Sequence, residues 1–531
     1  MLRQARKAQQ DFEQVRRASL PPDRDDSRGP CDIRVGRFCY WYSPGAEEPA
    51  PESPRIDQAR GDLLEALADA ARLLPADPWI AGQRVRYLVE HGRPGAAVAA
   101  ARECLADRWW CLALEAFALH AQEQDAAADS LFAQALGAMP ADERCRWTDL
   151  SEVLGDDAGS YPKLPCEARE ARNSRIWWLA RPLYLRPGND LRAEHYARRV
   201  MARMLEHAAT AHAIGWGADQ AELIVRYGWP VYWTRPSSPP TDDRPAALGY
   251  ERSPSWWFFA SANVPPVWDL GRERPWARYS PTWAREFSTI REAQIARFRR
   301  GDSVVTVAGF DLSGDSVLAG DKPRVALAVG SDAASPVVVG GSITAANGAV
   351  AVASADPPAM VSLEAIREES RWAARLRSAM ADPTAWVATP LSDILLVRAE
   401  AASSGVLGPL TEAALPSPVL PLGRPVGVYW EWYQRQARGS IVAIEARVAR
   451  IGGKGLPDPL GHSDCVPAGK AAIAVQWRET VGDRPAGVGR VVALDLSRLG
   501  RGRYLVAVAV APEGDPDPTH CTSREIQLGG W

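Results

Sequence analysis

The residues best placed to do chemistry in this chain fall between positions 190 and 230. Glu194, His195 and Arg199 share a predicted helix, and Trp216, Asp219, Arg226 and Tyr227 follow on a Gly-Trp-Gly turn and the segment after it. A carboxylate, an imidazole and a guanidinium near one turn can bind an anionic ligand or shuttle a proton. The same groups can instead cap a helix and tie it to its neighbour, with Asp219 accepting from backbone amides as Asx residues in turns do. The structural reading is adopted, with a ligand site as the alternative, and no catalytic residue is assigned. A second grouping is His462, Asp464 and Cys465 with His520 and Cys521. Two His and two Cys suit zinc, but neighbours such as His520 and Cys521 point to opposite faces of an extended segment. A Cys465–Cys521 disulfide explains the same residues more simply. No metal or cofactor is expected.

Nucleophile and phosphate motifs are missing: there is no G-x-S-x-G elbow, H-E-x-x-H, Walker A loop or G-x-G-x-x-G after a strand. Only seven histidines exist, scattered along 531 residues. His207 and His212 flank a helix end, where a cation suits the helix dipole. The net charge of −3 provides no basic field for a phosphate backbone, so a nucleic-acid partner is not expected. Lysine occurs five times against 57 arginines, whose planar forks suit ion-paired surfaces and stacking on rings. Tryptophan, at 21 residues, outnumbers tyrosine at 13 and phenylalanine at 9. Indoles bury large areas but need a partner for the N–H, so pairs such as Trp109-Trp110 are read as filling seams between elements.

The elements that must position these groups are read from periodicity. A charged helix opens the chain, and an irregular Pro/Asp/Glu-rich stretch surrounds Cys31–Cys39. Three Ala-rich helices, 63–75, 95–107 and 127–140, end at Pro75, Asp107 and Pro140, which lie 32 and 33 residues apart. That period, small residues at packed positions and the proline stops resemble tetratricopeptide repeats of about 34 residues. So short an array must lean on the domain after it, with Trp109-Trp110 in the seam. Asn189 or Asp190 caps a predicted helix over 191–209, with Tyr196, Val200, Met204 and Ala208 as its buried stripe. The spacing then predicts a strand over 222–227, a partner strand over 256–259 and an arginine-rich helix over 282–299. From 302 the period becomes two, as in β-sandwiches, with a helical insertion at 362–380 and a linker at 401–418. Tyr504 after Leu499-Gly500-Arg501-Gly502 fits a tyrosine corner.

The stretch 211–232, AHAIGWGADQAELIVRYGWPVY, resembles the signature of the GWxTD-domain proteins, an uncharacterised bacterial family. Gly215, Trp216 and Asp219 match the name-giving positions, and Tyr227-Gly228-Trp229-Pro230 matches the Tyr-Gly-x-Pro that comes next. The family's threonine is Ala218 here, so a nucleophile at that position is excluded. The resemblance is strongest over 185–260. It implies an exported protein with helical repeats before the domain and β-sandwiches after it; the family's activity is unknown, so no catalytic role carries over.

The expected architecture is multidomain α+β: an arm (1–56), TPR-like repeats (57–160), a small α/β GWxTD-like domain (165–300), an Ig-like β-sandwich (301–400) and a second sandwich (419–531). The expected function is non-enzymatic interaction or assembly, with a protein partner on the helical repeats. The alternative is an enzyme or ligand binder using Glu194, His195, Asp219 and Arg226. No run of 18 apolar residues exists, so no membrane span is expected. Eight cysteines, with Cys31, Cys39, Cys465 and Cys521 as disulfide candidates and Cys104, Cys111, Cys145 and Cys166 in or near the helical part, lean towards an oxidising, extracytoplasmic compartment. The charged N-terminus has no apolar core of a signal peptide, so export requires a leader outside this sequence.

Overall fold

A computed structural model describes residues 1–22, 33–40, 51–154, 160–236, 247–250, 283–316, 318, 321–331, 335–380, 383–403, 407–433, 439–452, 456–462, 471–480, 488–512 and 520–529. The chain is multidomain α+β and divides into two compact units. The first holds the described residues up to Trp283 apart from Leu183–Leu185; the second holds those three and everything from Ala284 onward.

The first unit is mainly helical: α1 (Leu2–Ser19), α2 (Pro54–Leu73), α3 (Pro78–Glu90), α4 (Pro94–Arg102), α5 (Arg108–His120), α6 (Asp125–Ala138), α7 (Ala141–Trp147), α8 (Ser151–Leu154), α9 (Cys166–Ala180), α10 (Asp190–Glu206) and α11 (Ala218–Tyr227), with hairpins β1 (Ile33–Val35)–β2 (Phe38–Tyr40) and β3 (Tyr232–Thr234)–β4 (Leu248–Tyr250). Ser53 and Asp77 cap α2 and α3, each followed by a proline in the first turn, where a missing N–H is harmless. One core joins α3–α6 to α10 and α11 through Trp109, Trp110, Phe117, Phe132, Tyr196, Val200 and Ile224. Trp110 donates to the Pro78 carbonyl at 3.0 Å, and Arg203 of α10 stacks over Trp109 and Trp110.

The segment expected as a strand over 222–227 is helix α11. Gln220, Ile224 and Tyr227 are buried at helical spacing, and Glu222 and Arg226 pair at i,i+4. Leu223, Val225 and Tyr227 alternate, but so short an apolar run does not distinguish the two periods. The partner strand expected at 256–259 lies outside the described residues.

An ionic knot ties α1 to α3. Tyr87 Oη donates to Glu13 Oε1 at 2.6 Å, Arg86 Nη2 reaches the same oxygen at 3.2 Å, and Arg16 and Arg86 both reach Glu90. Gln9 exchanges hydrogen bonds with the Ala209 backbone, which ties α1 to the end of α10 as well.

The second unit is built from β5 (Glu286–Thr289), β6 (Glu292–Arg300), β7 (Ser303–Asp311), β8 (Arg324–Gly330), β9 (Val338–Thr344), β10 (Asn347–Ser354), β11 (Met360–Arg367), β12 (Trp372–Ala379), α12 (Pro383–Ala388), β13 (Leu395–Arg398), α13 (Leu407–Glu412), β14 (Val419–Leu420), β15 (Val426–Trp432), β16 (Ile441–Arg450), β17 (Gly461–His462), β18 (Ala471–Thr480), β19 (Val488–Leu494), β20 (Gly502–Pro512) and β21 (His520–Leu528). Sheets β10-β7-β6 and β5-β12-β11-β8-β9 feed one core around Phe310, Leu327, Leu363 and Trp372. Sheets β13-β15-β19 and β14-β21-β20-β16-β18 feed another around Trp430, Ile444, Val508 and Ile526. Tyr504 Oη donates to the Gly500 carbonyl at 2.9 Å, as a tyrosine corner does.

Two expectations fail here for one reason. The helix expected at 282–299 is β5 and β6, and the helical insertion at 362–380 is the β11–β12 hairpin. Strands β6, β11 and β12 are buried on two faces over most of their length, which erases alternation. Ala293 and Ile295 of β6 enter one core while Ala296 and Phe298 enter a different one. In the hairpin, Glu364 and Arg377 pair inside at 3.0 Å instead of facing water. The stretch 401–418 is no linker either: Leu407, Ala413 and Ala414 are buried, and Arg398 N–H donates to the Ala413 carbonyl. Strand β13, expected in the first β block, pairs with β15 of the second. Gln294 reinforces that seam, its amide exchanging hydrogen bonds with the Leu396 backbone.

Replacing Glu13 with Ala leaves buried guanidinium groups short of a counter-charge, and should destabilise the first unit by about 3 kcal/mol. Lys7→Ala, which breaks an exposed i,i+4 pair, should cost less than about 0.5 kcal/mol. Urea unfolding of both variants checks the contrast.

Candidate functional site

The Asn189 side chain accepts from Arg192 N–H at 3.1 Å and starts α10, which places Glu194 and His195 one turn in. Glu194 is buried. Its Oε2 lies 2.7 Å from His120 Nε2, and its Oε1 accepts from Arg198 Nε at 2.7 Å. His120 Nδ1 lies 3.0 Å from Asp125 Oδ1, and Arg198 Nη1 donates to the Arg226 carbonyl at 2.7 Å. Thus an ionic chain runs Asp125–His120–Glu194–Arg198 from α5 and α6 through α10 to the last turn of α11. Burial alone would lower the His120 pKa; the hydrogen bonds to Asp125 and Glu194 outweigh it and raise it to about 10. Burial would raise that of Glu194, but the Arg198 charge and the His120 bond hold it well below the usual carboxylate range.

Asp190, the first residue of α10, sits at the edge of this chain. Burial, then the Asp125 charge, lift its pKa to about 6, against the hydrogen bond that Trp283 Nε1 donates at 2.7 Å.

His195 points elsewhere. It packs between Trp177 and Tyr196 with ring centroids 5.3 and 5.2 Å away. Burial, then the charges of Arg199 and Arg198, push its pKa well down, so it is a neutral core imidazole. Arg199 pairs with Glu152 at 3.0 Å and donates to the Asp149 carbonyl at 2.6 Å.

Asp219 serves the β1–β2 hairpin. Its carboxylate accepts from Arg37 Nε and Nη2, each at 2.7 Å, and from Arg37 N–H at 3.0 Å. The Arg37 bond is the main reason its pKa falls to about 2. Arg37 Nη2 also donates to the Gly215 carbonyl. Gly36 is required: at φ +51°, a Cβ there would lie 2.4 Å from Asp219 Cβ, whereas one on Gly217 would meet only the mobile ends of the Arg37 and Asp219 side chains. Trp216 packs on the helical core, Arg226 pairs with Glu222, and Tyr227 is buried beneath Arg226. The seven predicted residues therefore do not converge. Sequence reasoning missed His120, Asp125, Arg198 and Arg37; only Arg198, four residues after Glu194 on one helix face, carried a local signal.

The second grouping is partly outside the described residues, which exclude Cys31, Asp464 and Cys465. Cys521 is disulfide-bonded, which removes its thiolate as a metal ligand. His462 lies on β17, 3.8 Å from Asp458, and His520 opens β21. Among the described residues no group of three or more His, Cys, Asp or Glu is placed to hold a metal ion. Two disulfides, Cys104–Cys111 and Cys145–Cys166, join cysteines for which the sequence suggested no pairing. No helix among the described residues is long and apolar enough to cross a membrane.

A cleft of about 430 Å³ opens between α2, α3 and α4, lined by Ala68, Ala71, Ile80, Ala81 and Ala100, with Arg72, Arg84, Glu103 and Cys104 also on its walls. Leu73 and Leu105, 62% and 67% exposed, lie next in sequence to lining residues. Leu105 N–H donates to the Pro75 carbonyl at 3.0 Å, which joins the turn after α4 to the one after α2.

No protein-family model matches the chain, and no curated protein does. Among solved structures, a DUF3823 family protein from Bacteroides ovatus aligns at 8% identity over 45% of this chain and 99% of its own, with a TM-score of 0.16. A protein described as membrane anchored from Corynebacterium diphtheriae aligns at 12% identity over 45% and 59%, with a TM-score of 0.17. Red sea bream transglutaminase aligns at 9% identity over 45% and 32%, with a TM-score of 0.13. Scores this low carry no inference about fold or function.

Two outcomes are expected. Asp190 has a folded-state pKa above its unfolded value, so its favourable contribution is present at low pH and is lost as pH rises through about 6. Asp190→Asn should therefore raise stability by roughly 2–3 kcal/mol at pH 8 and by far less at pH 4, read by denaturant unfolding at each pH. Asp219→Ala should speed amide exchange across 33–40 by at least about tenfold and leave α10 protected. Unchanged exchange there would mean that the hairpin is held by something other than Arg37.

Proposed function

We propose that this chain is a non-enzymatic interaction or assembly protein that docks a protein partner on its helical stack. The supporting observation is where the ionisable groups of the middle segment go. Glu194, Asp219, Arg199 and Arg226 are each taken up by an internal partner, whereas apolar Leu73 and Leu105 stand exposed beside the cleft. Exposed apolar side chains at the rim of a concave surface suit contact with a partner protein. On this reading α2–α6 are a tetratricopeptide-like array, the segment around Gly215–Asp219 is a GWxTD-like connector, and the opposed sheets of the second unit are two β-sandwiches. The disulfides favour an extracytoplasmic site of action.

The test uses the full chain purified from its native host beside a Leu73→Ser/Leu105→Ser variant. A stoichiometric protein partner should fall by at least about tenfold in the variant, with an unchanged melting temperature. Equal recovery of that partner with both proteins would remove the stack as the docking surface.

A further inference from the structure

We infer that the cleft between α2, α3 and α4 is a small-molecule site for a single-chain amphipathic carboxylate. This goes beyond the interaction reading and does not depend on it. The cleft exists because alanines meet where larger side chains would close it: Ala68 and Ala71 on α2, Ala81 on α3 and Ala100 on α4, with Ile80 beside them. Its volume of about 430 Å³ falls within the range of small-ligand pockets, about 300–1,000 Å³. The alanine wall accepts an unbranched hydrocarbon, and the polar groups of the lining are confined to the charged side chains Arg72, Arg84 and Glu103.

The charges are placed for one anionic head. Arg84 and Glu103, both lining residues, neutralise each other in a 2.6 Å pair. Arg72 is the remaining lining charge. Its partner, Asp69, is not on the lining, and that pair is 73% and 61% exposed, so it is weak and exchangeable. The lining therefore carries one net positive charge beside an apolar wall. Cys104 is closed in its disulfide with Cys111, so the cleft offers no thiol, and binding is non-covalent.

Decanoate titrated into the full, oxidised chain by calorimetry tests the assignment. Decanoate should bind at one site, and each methylene removed should weaken binding about fourfold, so that hexanoate, four methylenes shorter, binds roughly 250-fold more weakly. Decan-1-ol, with the same chain and no charge, should bind more weakly than decanoate. Ala100→Phe should abolish binding by filling the cleft. Arg72→Gln, an exposed change that leaves the packing alone, should bring decanoate down to the level of decanol. Absence of decanoate binding to the parent chain overturns the inference. So does binding that ignores chain length, or that is the same in Arg72→Gln as in the parent. A failure of this kind leaves the protein-partner reading untouched.

Discussion

The carboxylate of Glu194 is the point on which the first unit turns. It is buried, it is charged, and its two oxygens are shared between His120 of α5 and Arg198 of its own helix. A buried charge is tolerated only when its hydrogen bonds are complete and its partners are oriented. Meeting that condition requires α5, α6, α10 and the last turn of α11 to hold their places together. Helices α3–α6 and the α10–α11 segment therefore share one core. Asp219 does a lighter version of the same work at the surface, where its bond to Arg37 pins a hairpin to the first turn of α11.

The second unit uses the same device with different residues. Asp393 accepts from the Arg297 backbone and side chain, at 2.9 and 2.8 Å. Glu431 is fully buried and collects Arg300, Tyr429 and Tyr433. Arg524 donates to three backbone carbonyls, those of Ile394, Pro459 and Ile295. Buried ionic groups of this kind add little net stability, because desolvation offsets most of the attraction, but leaving one unpaired is expensive. They penalise wrong pairings, which matters for two β blocks that are rich in interchangeable Val and Ala strands.

What was legible in the sequence came from strong local patterns. The α10 stripe and its Asn189 cap, the Ala-rich helices and the β16, β18 and β20 strands each show a regular period or a clear stop. The tyrosine corner was legible because Tyr504 bonds only four residues back. Burial on two sides hid β6 and the β11–β12 hairpin, whereas the Val-rich β8 and the aromatic-rich β15, equally buried, still read as strands. Strand β6 read as a helix because its Ala, Gln and Arg residues favour helix and its two faces serve two cores. The candidate site was half legible: the reading of Asp219 as a residue that ties backbone and neighbour together matches its geometry, while its partner Arg37 lies 182 residues away. His120 lies 74 residues from Glu194, and no local spacing points to it.

The central claim is that the ionisable residues of the middle segment are consumed by one another and stabilise the fold. Its most direct test is the titration of His120, followed by NMR through the imidazole carbon shifts of the native protein. If Asp125 and Glu194 hold this ring as described, it stays protonated through pH 8 and loses its proton near pH 10. A ring that titrates near 6.5, as a free imidazole does, would contradict the account, because Asp125 and Glu194 would then not be holding a charged imidazole between them.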